Sequence, residues 1–244
     1  MLSFDPLHSD FAEMNGMNPF KSIAVPRPIC WVSTVSEDGI DNLAPYSQFS
    51  NVGFNPPYVM FCGHPKSDGS RKDSVVNAEN TGCFVHNFVP YSLRDAMNIT
   101  SKPSGREVDE FVEAGLTKLD SDIVKAKRVA ESPIQLECEY ITTIRLPGAD
   151  PKCHSDIVIG RVVRMHIDEN YVLPNGKLDI IKLRPPVPPR LRGLHQCHRS
   201  VRNVDRQHEE GSRTRQLWLD ESGVPQREGH FRKYLMDPTA PHRV

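Results

Sequence analysis

Residues 28–35 read Pro-Ile-Cys-Trp-Val-Ser-Thr-Val, a β-branched and aromatic run that stops at Ser36-Glu37-Asp38-Gly39. Asp-Gly between two such runs is a strong hairpin signal, because Gly accepts the positive φ that a tight reversal needs. The chain is therefore expected to reverse there, with Ile40 to Ser50 returning as the next strand. Short apolar runs of the same kind recur. Pro57 to Gly63 is bounded by Asn55-Pro56 and by His64-Pro65, and Gly82 to Val89 follows. Ile134 to Arg145 and Asp156 to Ile167 are longer, and the second carries apolar groups on both of its alternating faces, as a barrel strand would.

Helix signals are few and lie between these runs. Ser70 to Asn80 has candidate caps at Asp68 and Ser70 and a Gly at position 82, just past its end. Pro90 to Asn98 opens on proline, and Asp109 to Ala114 would be a short helix before Gly115. Many short strands, few helices and no β-α-β alternation predict a mainly β fold, a barrel with peripheral helices.

The pattern ends sharply at Arg184-Pro185-Pro186-Val187-Pro188-Pro189-Arg190, a stretch that favours extended chain. Residues 184–244 carry 12 basic groups, 11 of them Arg, against 7 acidic ones, and large apolar residues are sparse. Such a segment cannot bury enough surface to offset the entropy of ordering it. The reading is an N-terminal extension over 1–19, a folded domain over 20–184, and a poorly ordered Pro/Arg-rich tail over 185–244. The tail's composition matches what a shifted reading frame or a retained intron would encode.

Composition narrows the partners. The formal net charge is -1, which argues against nucleic acid or a membrane surface. No apolar run approaches the roughly 20 residues of a spanning helix. Residues 1–20 lack a basic start followed by an apolar stretch, so the cytoplasm is the expected compartment. The six cysteines include no C-x-x-C pair, and Cys30, Cys62, Cys83 and Cys138 sit inside apolar runs, as buried small hydrophobes do. His195, Cys197 and His198 lie close together, but a tail of this kind offers them no folded frame, so no metal site is expected.

Two stretches could carry chemistry. Asp68-Gly-Ser-Arg-Lys-Asp-Ser74 places two cations and two serines before a predicted helix. Helix N-termini present free N–H groups and partial positive charge, which suit a phosphate, although a capped and solvated helix start explains the same residues. Asn42-Leu-Ala-Pro-Tyr-Ser-Gln-Phe-Ser-Asn51 alternates small and hydroxyl residues with two aromatics, which suits a planar ring or an ordinary strand and loop. Neither G-x-G-x-x-G after a strand, nor a P-loop, nor a G-x-S-x-G elbow is present.

Residues 20–184 resemble the flavin reductase-like, FMN-binding split-barrel family. The resemblance lies in an ordered series. Val25-Pro-Arg-Pro-Ile-Cys-Trp-Val-Ser-Thr34 comes first, then Asp38-Gly39 and Asn42-Leu-Ala-Pro-Tyr-Ser47. Asn55-Pro-Pro57, Arg71-Lys-Asp-Ser74, Thr81-Gly82 and Ala96-Met-Asn-Ile-Thr-Ser101 follow. Asp109-Glu-Phe111, Ala130-Glu-Ser-Pro133, Gly160-Arg-Val162 and Lys182-Leu-Arg-Pro185 complete it. After Pro185 the family character is lost.

The resemblance implies a six-stranded split β-barrel binding FMN, usually as a homodimer with the flavin near the interface. It implies that Ser33 and Thr34 lie along the flavin. Ala44, Pro45, Tyr46, Ser47, Gln48, Phe49 and Ser50 would contact the ring and its polar edge. Arg71, Lys72 and Ser74 would hold the phosphate, with Asn87 nearby. It names no catalytic side chain, since the flavin carries the redox chemistry. NADH or NADPH is the implied electron donor, and a small-molecule acceptor or a partner oxygenase the implied recipient. The alternative is a protein that stores or senses FMN without turnover.

Overall fold

The structure, a computed structural model, describes residues 20–24, 26–148 and 153–185. The predicted N-terminal extension, most of the Pro/Arg-rich tail and the His195, Cys197 and His198 group lie outside the described residues.

In chain order the elements begin with α1 (Phe20–Ile23), β1 (Cys30–Val35), β2 (Asp41–Tyr46), β3 (Phe49–Phe54) and β4 (Pro57–Gly63). Then come α2 (Asp73–Thr81), β5 (Cys83–Asn87), a 3-10 turn at Tyr91–Leu93, α3 (Arg94–Ile99) and α4 (Glu110–Glu113). The short β6 (Lys118–Leu119) and β7 (Arg128–Val129) precede the long β8 (Ile134–Pro147) and β9 (His154–Ile167). A 3-10 turn at Glu169–Tyr171 and α5 (Ile180–Leu183) close the described chain. Arg184 O accepts from Tyr91 N at 2.8 Å, so the end of the folded region returns to the turn before α3.

The Asp38-Gly39 reversal forms as expected. Gly39 adopts φ 83, its N–H donates to Ser36 O at 3.0 Å, and Ser36 N donates to Ile40 O at 2.9 Å. β1 then pairs with β2 in antiparallel register, Val32 opposite Ala44 and Thr34 opposite Asn42.

The main sheet has seven antiparallel strands in the order β2-β1-β5-β8-β9-β4-β3. The resemblance implies six. The difference arises because the run read as one strand, Ile40 to Ser50, breaks at Ser47 and Gln48 into β2 and β3. Those two strands are consecutive in the chain yet lie at opposite ends of the hydrogen-bonding order. A two-residue link cannot span a flat seven-stranded sheet, whose strands lie about 4.8 Å apart. The sheet must therefore roll until its two edges meet at Ser47 and Gln48. Cys62 N donates to Gln48 O at 3.0 Å and ties this link to β4.

Rolling creates an interior filled by alternate residues of each strand. Val32, Tyr46, Val59, Phe61, Phe84, Cys138 and Val158 form this core, with Val75 and Ala78 of α2 packed into it. The Tyr46 and Phe61 rings lie 4.9 Å apart, and Phe61 meets Phe84 edge-on at 5.2 Å. Each such side chain contributes about 1.5–3 kcal/mol by leaving water. Cys30, Cys62, Cys83 and Cys138 are buried free thiols, as their apolar settings predict. The outer face of β1 carries a second core, in which Trp31 packs with Leu43, Val89, Phe111 and Val129. Trp31 Nε1 donates to Thr100 Oγ1 at 2.9 Å, which pins the end of α3 over this core.

Candidate functional site

A cleft of about 290 Å³ opens beside β2. Its walls are Asn42, Ala44, Pro45 and Tyr46 of β2, Lys66 to Asp68 of the loop after β4, Lys72 to Ser74 at the start of α2, Thr100 to Ser104 after α3, and Glu110 of α4.

The start of α2 is set by its sequence. Lys72 is the N-cap in extended backbone, and Asp73 in the first turn complements the helix dipole. Neither Asp68 nor Ser70 caps the helix, contrary to the pattern. Asp68 Oδ1 accepts instead from Ser70 N at 2.8 Å and Ser70 Oγ at 2.6 Å, shaping the loop before it. Val75 and Ala78 face the barrel core, and Gly82 ends the helix in the left-handed conformation, φ 73, donating to Ala78 O.

A buried polar chain runs along one side of the cleft. The Glu110 carboxylate accepts from Asn42 Nδ2 at 2.9 Å and from Leu43 N at 3.0 Å. Asn42 Oδ1 accepts from Ser74 Oγ at 2.8 Å and from Thr34 Oγ1 at 3.3 Å. Thr34 Oγ1 accepts from Asn77 Nδ2 at 3.2 Å. Burial raises the Glu110 carboxyl above its ordinary value, and the Leu43 and Asn42 hydrogen bonds oppose that. Burial likewise raises the Tyr46 phenol, against a Ser74 hydrogen bond.

The cations of the cleft differ in their freedom. Lys66 Nζ meets Asp73 Oδ2 at 2.6 Å, and Arg106 Nε meets Asp73 Oδ1 at 3.3 Å. Arg106 stands outside the lining, and the ammonium groups of Lys72 and Lys102, which both line the cleft, make no ion pair or hydrogen bond among the described residues. The cleft thus offers an uncommitted ammonium and a serine hydroxyl at a helix N-terminus, next to the largely apolar Ala44, Pro45 and Tyr46. That combination accepts an anionic group on a flat apolar body.

Three comparisons bear on this arrangement. Residues 22–181 match the family described as flavin reductase like domain. A protein of Aquifex aeolicus (strain VF5) is 35% identical over 163 residues, covering 67% of this chain and 80% of its own length. The chain belongs to the flavin reductase-like family. Among solved structures, nitrilotriacetate monooxygenase component B from Bacillus cereus is 32% identical, with TM-score 0.69, over 76% of this chain and 90% of that one. A split barrel domain protein from Shewanella frigidimarina shares the fold at 22% identity and TM-score 0.64, over 76% of this chain and 89% of that one.

Of the residues that the family resemblance points to, Ala44, Pro45, Tyr46, Lys72 and Ser74 converge on the cleft. Thr34 is fully buried and touches it through Asn42. Ser33 is fully buried and donates to Lys127 O at 2.5 Å. Asn87 is fully buried beneath β1, with Nδ2 donating to Trp31 O and Ser33 Oγ and Oδ1 accepting from Val129 N. Ser47 and Gln48 form the link between β2 and β3. Phe49 packs on His86 with ring centroids 4.5 Å apart, and Ser50 is exposed. Arg71 lies outside the cleft lining, engaged by Glu79 and Asp156. The pattern missed Lys66, Thr100 to Ser104 and Glu110 as site residues, and the resemblance left Asn42, which opens a candidate stretch, out of the flavin contacts. Asn42, Thr100, Ser101 and Glu110 stand inside the family-like motifs, which was the available signal.

Proposed function

We propose that the cleft binds FMN and that the protein is a flavin-dependent oxidoreductase of the flavin reductase type, taking reducing equivalents from NADH or NADPH. The observation that carries this reading is the uncommitted Lys72 ammonium beside Ser74 at the start of α2, facing Ala44, Pro45 and Tyr46, in a chain of this family. These residues fit the group: an anion holder at one end and a flat apolar wall at the other.

Bound flavin supplies transfer of a hydride or of single electrons. The side chains supply position. Lys72, Ser74 and the first N–H groups of α2 would hold the phosphate. Ala44, Pro45 and Tyr46 would flank the ring. Glu110 ties β2 to α4 by accepting from Asn42 and Leu43, contacts that need no ligand.

The proposed recipient of the electrons is a small-molecule acceptor or a partner oxygenase, supported by the likeness to a monooxygenase component. A homodimer is proposed as well. Phe54, Ile141, Ile144 and Leu146 are exposed large apolar residues on β3 and β8, and a second copy would cover such groups. The setting proposed is the cytoplasm, and no helix among the described residues is long and apolar enough to cross a membrane.

The test is the absorbance spectrum of purified protein before and after FMN addition and desalting, followed by NADH and NADPH oxidation. A retained flavin band with turnover supports the reading. A flavin band without turnover on either nicotinamide would indicate a storage or sensing protein. No band in either sample would sink it.

A further inference from the structure

Arg71 and Lys72 are adjacent cations, and the family resemblance assigns both to one phosphate. The structure separates them. Lys72 is in extended backbone, φ -64 and ψ 140, where adjacent side chains leave in different directions. Lys72 lines the cleft and Arg71 does not.

Three of the five N–H donors of the Arg71 guanidinium, one on each nitrogen, are taken by carboxylates. Nε donates to Asp156 Oδ2 at 2.8 Å, while Nη1 and Nη2 donate to Glu79 Oε2 and Oε1, each at 2.6 Å. Asp156 on β9 is buried and also accepts from Arg145, at 2.8 Å from Nε and 3.2 Å from Nη2. Two guanidinium groups thus face two carboxylates, and the cluster is neutral in sum. The bidentate Glu79 bond raises Arg71, and Arg71 in turn holds the Glu79 carboxyl below its ordinary value. A phosphate reaching Arg71 would find at most the two remaining N–H donors and would meet the like charges of Glu79 and Asp156.

We infer that preference for a phosphorylated flavin rests on Lys72 with Ser74 and the start of α2, and that Arg71 is a clamp joining α2 to β9 that gives no hydrogen bond to the ligand. The inference rests on the FMN reading above and divides the labour within that site.

The experiment measures affinity for FMN and for riboflavin, which lacks only the phosphate, together with the melting temperature of ligand-free protein. Wild type is compared with Lys72→Gln, Arg71→Gln and Glu79→Gln. Lys72→Gln should lower the FMN-to-riboflavin affinity ratio by about tenfold, the scale of one charged hydrogen bond. Arg71→Gln and Glu79→Gln should leave that ratio within about twofold and should each lower the melting temperature. A ratio that falls as far in Arg71→Gln as in Lys72→Gln overturns the inference. So does a ratio that falls by more than about twofold in Glu79→Gln, because loss of the clamp would then have disturbed the phosphate holder itself. If Arg71→Gln does not fold, Glu79→Gln and Asp156→Asn decide the matter by the same two readouts. If wild type holds neither flavin, the FMN reading fails and takes the Lys72 assignment with it. The melting temperatures then judge the clamp alone, and unchanged values overturn it.

Discussion

The Phe84 ring occupies the space that a side chain at position 160 would need. A Cβ on Gly160 would lie 2.4 Å from Phe84 Cε1 and 2.5 Å from Cζ. Gly160 sits on β9 opposite Val59 of β4, so the ring of β5 reaches across the barrel interior to bare backbone. Gly160→Ala should cost about 1–3 kcal/mol, the usual penalty of overpacking a filled core. Urea denaturation would show a lower midpoint, and a smaller residue at position 84, as in Phe84→Leu, should recover part of the loss when combined with it. A Gly160→Ala midpoint equal to wild type would contradict this packing.

His86 makes stability depend on mild acid. Its ring is buried in the barrel against Phe49, and burial pushes its pKa down from 6.5 to about 4. The unfolded chain takes up a proton near 6.5 while the folded protein does not until about 4. Stability should therefore fall as pH drops through that window, by roughly 3 kcal/mol, and this group should contribute no slope above it. His86→Phe removes the titrating group and keeps a ring against Phe49. Melting temperature against pH should be flatter for the variant between these two values.

Glu137 acts in the opposite sense and at lower pH. It is fully buried, and its oxygens accept from Asp122 N at 2.8 Å, Ile123 N at 2.7 Å, Val124 N at 3.1 Å and His166 Nε2 at 2.6 Å. Burial favours the neutral acid, but these four donors overcome it and hold the carboxyl below its ordinary 4.5. A depressed folded pKa contributes stability that is full above the unfolded value and is lost as pH falls below it. Glu137→Gln sets an amide N–H₂ among donors and should cost about 2–3 kcal/mol at neutral pH. The variant should also lose the part of the acid transition that wild type shows below the ordinary glutamate value, as read by circular dichroism.

Asn87 should matter to folding far more than to ligand. Its Nδ2 bridges Trp31 O at 3.2 Å and Ser33 Oγ at 3.1 Å, and Oδ1 accepts from Val129 N at 2.9 Å, so one amide joins β1, β5 and β7. Asn87→Ala leaves buried partners unpaired and should cost about 1–3 kcal/mol. Since Asn87 does not line the cleft, FMN affinity of the folded fraction should stay within about threefold of wild type. Titration calorimetry well below the variant's melting temperature separates the two effects, and a large loss of affinity there would return Asn87 to the site.

Much of the local structure was legible in the chain itself. Pro57 to Gly63 is a strand over the residues that the pattern marks, and Ile134 and Ile167 begin and end the β8–β9 pair as read. The reason is physical: apolar and β-branched runs between Gly, Pro and Asn bound strands through local sterics. Ala44, Pro45, Tyr46, Lys72 and Ser74 could be singled out because they lie within two short motifs. What the chain alone could not yield is anything decided by long-range pairing. The break at Ser47 and Gln48 follows from β2 pairing with β1 while β3 pairs with β4, and no local residue signals that choice. Glu110 reaches Asn42 across 68 positions, and Thr100 joins the cleft because Trp31 holds it there, so only the folded chain adds them to the site. Arg71 and Lys72 look alike in sequence; Glu79 and Asp156 tell them apart, because a guanidinium already paired with two carboxylates has its charge neutralised while the Lys72 ammonium does not.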